Sequence, residues 1–122
     1  MANTNLKFDK AAFKKEVEAN VKTLYRKTME EATPQQIFQA VSYAIKDVIV
    51  DGWMDTQKAI EEQDAKIVYY MSMEFLMGRS LKNTLYNLNL TEDAAAILKE
   101  YGAKLDNLFE LEPDAGLGNG GL

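Results

Sequence analysis

One short apolar run, Ile67-Val68-Tyr69-Tyr70-Met71, stands alone among long helical patterns, and it limits what this chain can fold into more than any other feature. It is rich in β-branched and aromatic residues and has no polar face. That is the pattern of a strand covered on both sides in a parallel sheet. A strand cannot satisfy its own backbone N–H and C=O groups, and no second comparable run exists in the 122 residues. The sequence therefore predicts a mostly α-helical segment with one short strand near 67–72, its neighbours supplied from elsewhere.

The helical patterns are clear. From about Lys10 to Glu30, Phe13, Val17, Val21, Leu24 and Tyr25 recur three or four apart, opposite Lys14, Lys15, Glu18, Lys22 and Arg26. Thr33-Pro34-Gln35-Gln36 follows as a capping box, with a hydroxyl N-cap, proline at the first helical position and glutamine at the third. The helix it opens carries Ile37, Val41, Ile45 and Val48 on one stripe, with Phe38, Ala44, Ile49 and Trp53 beside it. With no proline before Gln63 it runs for roughly 30 residues, about 45 Å. Such a helix crosses a subunit or domain boundary, unless Gly52 breaks it. Further on, Leu81, Leu85 and Leu88 predict a short helix over 80–87, and Thr91 caps another that ends at Gly102, with Ile97, Leu98 and Tyr101 inward. Leu105, Leu108 and Phe109 predict a last helical turn.

Composition removes whole classes of chemistry. Apolar residues at 47% and charged residues at 27% give an ordinary globular balance. The net charge of −5 offers no basic field for a phosphate backbone, so nucleic acid is not expected as a partner. With no cysteine and no histidine there is no disulfide framework, no thiolate zinc site, no histidine-based triad and no helical two-histidine metal motif. The N-terminus lacks an apolar signal segment and no run is long enough for a membrane span, so a cytoplasmic location without membrane contact is expected.

Two places can carry chemistry. Glu74 lies at the C-terminal end of the expected strand, where ligands of parallel α/β sheets bind. From spacing alone the preferred reading is a local ion pair with Arg79 that orders the turn, because structural ion pairs are common. The second place is the tail, Gly116-Leu117-Gly118-Asn119-Gly120-Gly121-Leu122, with four of the seven glycines. It is either a flexible end or a loop whose backbone closely approaches a ligand. Gly116, Gly118 and Gly121 match the spacing of a dinucleotide fingerprint, but no strand precedes them and no helix follows. Met71, Met73 and Met77, with Trp53, Tyr69 and Tyr70, read as core residues, and adjacent carboxylates such as Glu61 and Glu62 as solvated helix faces. No metal site is expected.

Two motifs go further. Val68-Tyr69-Tyr70-Met71-Ser72-Met73-Glu74-Phe75-Leu76-Met77-Gly78-Arg79-Ser80-Leu81, followed by Glu112-Pro113-Asp114-Ala115-Gly116-Leu117-Gly118-Asn119-Gly120-Gly121-Leu122, closely resembles the N-terminal region of α-1,4-glucan phosphorylases. The helix from Ala32 through Gln57 is similar as well, so the resemblance covers about Lys22 to Leu122. It implies an α/β fold of two Rossmann-like halves of GT-B type. Residues 1–65 would form long helices of a dimer-type region, and 66–122 the first strand, short helices and glycine loop of the first half. The implied activity is phosphorolysis of terminal α-1,4 bonds of a glucan by inorganic phosphate, using pyridoxal phosphate and releasing glucose 1-phosphate. By the same resemblance Glu74 borders the glucosyl pocket, and Asn119, Gly120, Gly121 and Leu122 line the substrate cleft. Leu76 lies near the cofactor, Arg79 is a scaffold residue, and the protein is a homodimer.

Departures from the family pattern matter too. AMP-responsive members carry an aromatic residue eight positions after the tryptophan matched by Trp53; here that position is Glu61, and Lys58 follows Gln57, which argues against an AMP switch. The family's cofactor lysine and phosphate-holding cations match nothing up to Leu122. No catalytic residue is therefore expected in this chain, which alone neither binds pyridoxal phosphate nor cleaves glucan. A stand-alone helical dimerisation module is the alternative from a different class.

Overall fold

The structure, a computed structural model, describes residues 9–118. Five helices and two short strands follow in the order α1 (Lys10–Tyr25), α2 (Pro34–Gln63), β1 (Phe75–Gly78), α3 (Leu81–Asn87), α4 (Thr91–Glu100), α5 (Leu105–Leu111) and β2 (Ala115–Leu117).

Helix α1 starts where Asp9 accepts hydrogen bonds from the amides of Ala11 (2.9 Å) and Ala12 (3.4 Å), satisfying two of the free N–H groups of its first turn. It stops five residues before the expected Glu30. Arg26 turns left-handed (φ 56°), and Thr28 and Glu31 close a separate turn in which the Glu31 carboxylate accepts from the Thr28 amide at 3.1 Å. Leu24, expected on the inner stripe, is exposed there.

The capping box forms as read. Thr33 Oγ1 accepts from the Gln36 amide at 3.3 Å, and Gln36 Oε1 accepts from the Thr33 amide at 3.0 Å. The 30-residue helix passes Gly52 without interruption.

The core is where α1 crosses α2 and where α3, α4 and α5 close over that pair. Phe13, Val17 and Val21 from α1 meet Ile37, Phe38, Val41 and Ile45 from α2, joined by Leu85, Ile97, Leu98, Leu108 and Phe109. Polar ties at the rim hold α1 to α4: Lys10 pairs with Asp93 at 2.6 Å, Lys14 with Glu100, and the Tyr101 hydroxyl donates to Glu18. Burial, reinforced by the Glu18 carboxylate, pushes the Tyr101 phenol well above its ordinary range. Packing on α2 is one-ended. Its buried residues all lie between Ile37 and Ile45, and none from Lys46 to Gln63 is buried.

One expectation for the short helices needs adjusting. Thr91 is the first residue of α4 and not its cap; buried Leu90 holds the cap position, and Glu92 and Asp93 set negative charge in the first turn instead. Gly102 follows the helix as expected, left-handed at φ 71°.

The strand reading is overturned. Residues 65–72 form no strand and are exposed, Val68 by 90% and Met71 by 89%. The strand that forms, β1, begins four residues after the apolar run ends, and it is antiparallel to β2 where a buried parallel strand was expected. High β-propensity does not make a strand without a hydrogen-bonding neighbour. Among the described residues only 75–78 has one, in 115–117. Met73, Met77, Trp53, Tyr69 and Tyr70, read as core, are likewise exposed.

Candidate functional site

Strand β1 carries the segment that starts at Glu74, and β2 carries the first glycines of the tail. Their pairing brings together two parts of the sequence some 40 residues apart. Phe75 lies opposite Leu117, Leu76 opposite Gly116 and Gly78 opposite Ala115, with an irregularity between Leu76 and Gly78. At the Glu74 end the two segments touch closely. Gly118 is left-handed (φ 72°), and a Cβ there would fall under 3.0 Å from the Met73 carbonyl oxygen. Only glycine fits.

Before the strand, Ser72 Oγ donates to the Glu74 carbonyl (2.9 Å) and accepts from the Glu74 amide (3.1 Å), which fixes the backbone that presents the carboxylate. Tyr70 packs edge-on against Phe75, ring centroids 6.0 Å apart. Among the described residues the Glu74 carboxylate makes no ion pair or hydrogen bond, and it faces solvent.

The local Glu74–Arg79 pair does not form. Arg79 reaches instead to Glu110 (Nη1 to Oε2, 3.1 Å) and to Asp114 (Nε to Oδ1, 3.8 Å). Next to it, the Glu112 carboxylate accepts from the Ser80 amide (2.8 Å), the Ser80 hydroxyl (3.1 Å) and the Leu81 amide (2.9 Å). Ser80 itself makes no side-chain cap to α3, so Glu112, from 31 residues away, takes that role. Nothing in the sequence reading gives 110–114 a role of its own, and this function is missed there. The available signal was the alternation Glu110, Glu112, Asp114 directly before the glycines, which sets three carboxylates along one short stretch.

The remaining expected site residues divide cleanly. Leu76 is on β1 and 71% exposed. The residues around it do not by themselves hold pyridoxal phosphate: they form an open two-stranded ribbon, and Arg79, the nearest cation along the strand, is held by Glu110 and Asp114. Asn119, Gly120, Gly121 and Leu122 lie outside the described residues. An open groove of about 340 Å³ between Asp9, Phe13, Asp47, Val48 and Leu90 reaches neither Glu74 nor the glycines. Among the described residues no cluster of His, Cys, Asp or Glu could hold a metal ion, and no helix is long and apolar enough to cross a membrane.

No family model matches the chain. Individual proteins do, and three of them agree. It is 42% identical over 114 residues to glycogen phosphorylase 2 of Dictyostelium discoideum, 47% over 93 residues to the glycogen phosphorylase of Chlamydia pneumoniae, and 45% over 91 residues to the brain form of Homo sapiens glycogen phosphorylase. These matches cover 93%, 76% and 75% of this chain but only 12%, 11% and 11% of those proteins. Over the residues it has, the chain belongs to the glycogen phosphorylase family, spanning 11–12% of the length of these relatives.

Proposed function

We propose that this chain is the leading segment of an α-1,4-glucan phosphorylase, a cytoplasmic, homodimeric glycosyltransferase that uses inorganic phosphate to release glucose 1-phosphate from glycogen, starch or maltodextrin. In that reading the whole enzyme has two Rossmann-like halves, and pyridoxal phosphate is held by residues outside this chain. Glu74 borders the glucosyl pocket, Leu76 approaches the cofactor, and Asn119, Gly120, Gly121 and Leu122 line the cleft with backbone amides.

The observation that carries the reading is the β1–β2 pairing. It sets the Glu74 segment and the glycine segment side by side, with Gly118 against the Met73 carbonyl. A carboxylate beside a glycine-rich backbone suits a sugar phosphate: amides with no Cβ in the way would serve as anion donors, and the carboxylate would accept from hydroxyls.

The test is a chimera in which this chain replaces the matching segment of the Chlamydia pneumoniae enzyme. Glucose 1-phosphate release from maltodextrin is expected, with Glu74→Gln lowering kcat/KM by about a hundredfold. A folded, cofactor-loaded chimera without phosphorolysis refutes the proposal. The 122-residue chain alone is expected to release none.

A dimerisation module without catalysis is the second reading, favoured by the outer half of α2, where Ile49, Trp53 and Met54 are exposed. Equilibrium sedimentation decides it, since a folded, strictly monomeric chain excludes the module.

A further inference from the structure

The ribbon that joins Glu74 to the glycines has little to hold its register. All three residues of β2 are exposed, the pairing is irregular between Leu76 and Gly78, and Gly78 itself is left-handed at φ 65°. Register is strongly specified where one face of a strand is buried, and only weakly where both faces are wet. A slip of one residue would turn every side chain of β2 over and move Gly118 away from Met73.

What opposes a slip lies at the far end of the ribbon from Glu74. Beyond the Gly78–Ala115 pair, Glu112 receives three donors from Ser80 and Leu81, while Arg79 spans Glu110 and Asp114. Glu112 is the more discriminating of these contacts. It is half-buried, it follows directly on the rigid end of α5, and its oxygens meet two successive backbone amides whose spacing admits one alignment. The Arg79 pairs are exposed and longer, and contribute less.

We propose that Glu112 is a positioning residue for the site: by clamping Ser80 and Leu81 it sets the register of β2 on β1, and so the place of the glycine loop relative to Glu74. Its effect on catalysis rests on the phosphorylase reading. Its effect on register does not.

The closing experiment has two arms, with Glu112→Ala, Glu112→Gln and Glu112→Asp in each. In the 122-residue chain, amide exchange is followed by NMR at Ser80, Leu81 and those amides of Phe75–Gly78 and Ala115–Leu117 that bond across the ladder, with Val21 and Ile45 as core references. Glu112→Ala is expected to speed exchange at Ser80, Leu81 and the ladder amides by about tenfold and leave the references unchanged; Glu112→Gln, which keeps the acceptor oxygen, recovers part of the loss. Exchange altered only at Ser80 and Leu81, or altered equally in the core, overturns the register role. In the chimera, Glu112→Ala is expected to raise KM for inorganic phosphate at least about fivefold with kcat within about twofold, and Glu112→Gln to restore most of it. An unchanged KM in an active chimera overturns the link to the site. If the unmutated chimera is inactive while the exchange pattern holds, the phosphorylase reading fails and the register clamp stands.

Discussion

Replacing Gly118 by alanine separates the two reasons a position can require glycine, because Gly78 supplies the control within the same ribbon. Both are left-handed, at φ 72° and φ 65°. An alanine in that conformation is destabilised by roughly 1–2 kcal/mol, offset by about 0.4–1 kcal/mol from the stiffer unfolded chain. For Gly78→Ala this is the whole effect, since an added Cβ meets nothing within 4 Å. At Gly118 the Cβ would overlap the Met73 carbonyl oxygen and lie 3.2 Å from its carbon and 3.4 Å from the Glu74 Cα. These are backbone atoms that no rotamer change can move. Relieving the overlap means opening the ribbon, at a further cost of about 1–3 kcal/mol.

Because β2 is exposed along its length, this loss is local and the helical core keeps its melting temperature. Amide exchange on the uniformly labelled chain is the assay. Relative to the original, Gly118→Ala should accelerate the amides that bond across the β1–β2 ladder at least about fivefold more than Gly78→Ala does. Equal acceleration by the two variants would mean that the close approach to Met73 contributes nothing, and the argument for Gly118 would fall.

Three further expectations follow from the helices. Thr33→Ala removes the hydroxyl of the capping box and should lower stability by about 1 kcal/mol in urea denaturation, with an unchanged m-value. Ile45→Ala opens a cavity at one of the most deeply buried positions of the α1–α2 crossing and should cost about 2–5 kcal/mol by the same measurement. The third concerns Tyr101, whose phenol is raised from the ordinary 10.0 by burial and then by Glu18. Its folded form holds the proton longer than the unfolded form, so its stabilisation is complete below pH 10 and lost as pH rises through the folded value. Ultraviolet titration should show a late phenol that is absent from Tyr101→Phe.

The helices were legible because their signals are local. Thr33 through Gln36 encode a cap within four residues, and Leu81, Leu85, Leu105 and Leu108 declare their buried faces by spacing alone. The ribbon was not legible in this way. Ile67–Met71 has the better strand composition and stays unpaired, whereas Phe75–Gly78 pairs because Glu112 and Arg79 bind across 31 to 35 residues of chain. Such partners leave no periodic trace. The motifs resembling glucan phosphorylases did point to Glu74 and the glycines, and the structure adds that their backbones are neighbours up to Gly118.

Helix α2 is anchored at one end only, and that bears on its cohesion. From Lys46 to Gln63 it spans 18 residues with nothing buried, no basic residue in its last turn, and one ion pair along its length, Lys58–Glu62 at 3.9 Å, in the weaker of the two orientations. A free helix of that length is marginal in water, but the docked turns from Ile37 to Ile45 supply the nucleus, so each outer residue adds only the small gain of propagation. Heating should therefore shorten α2 from Gln63 inward before the core gives way. The helix carries a soft end whose persistence length is decided by whatever surface its outer stripe meets.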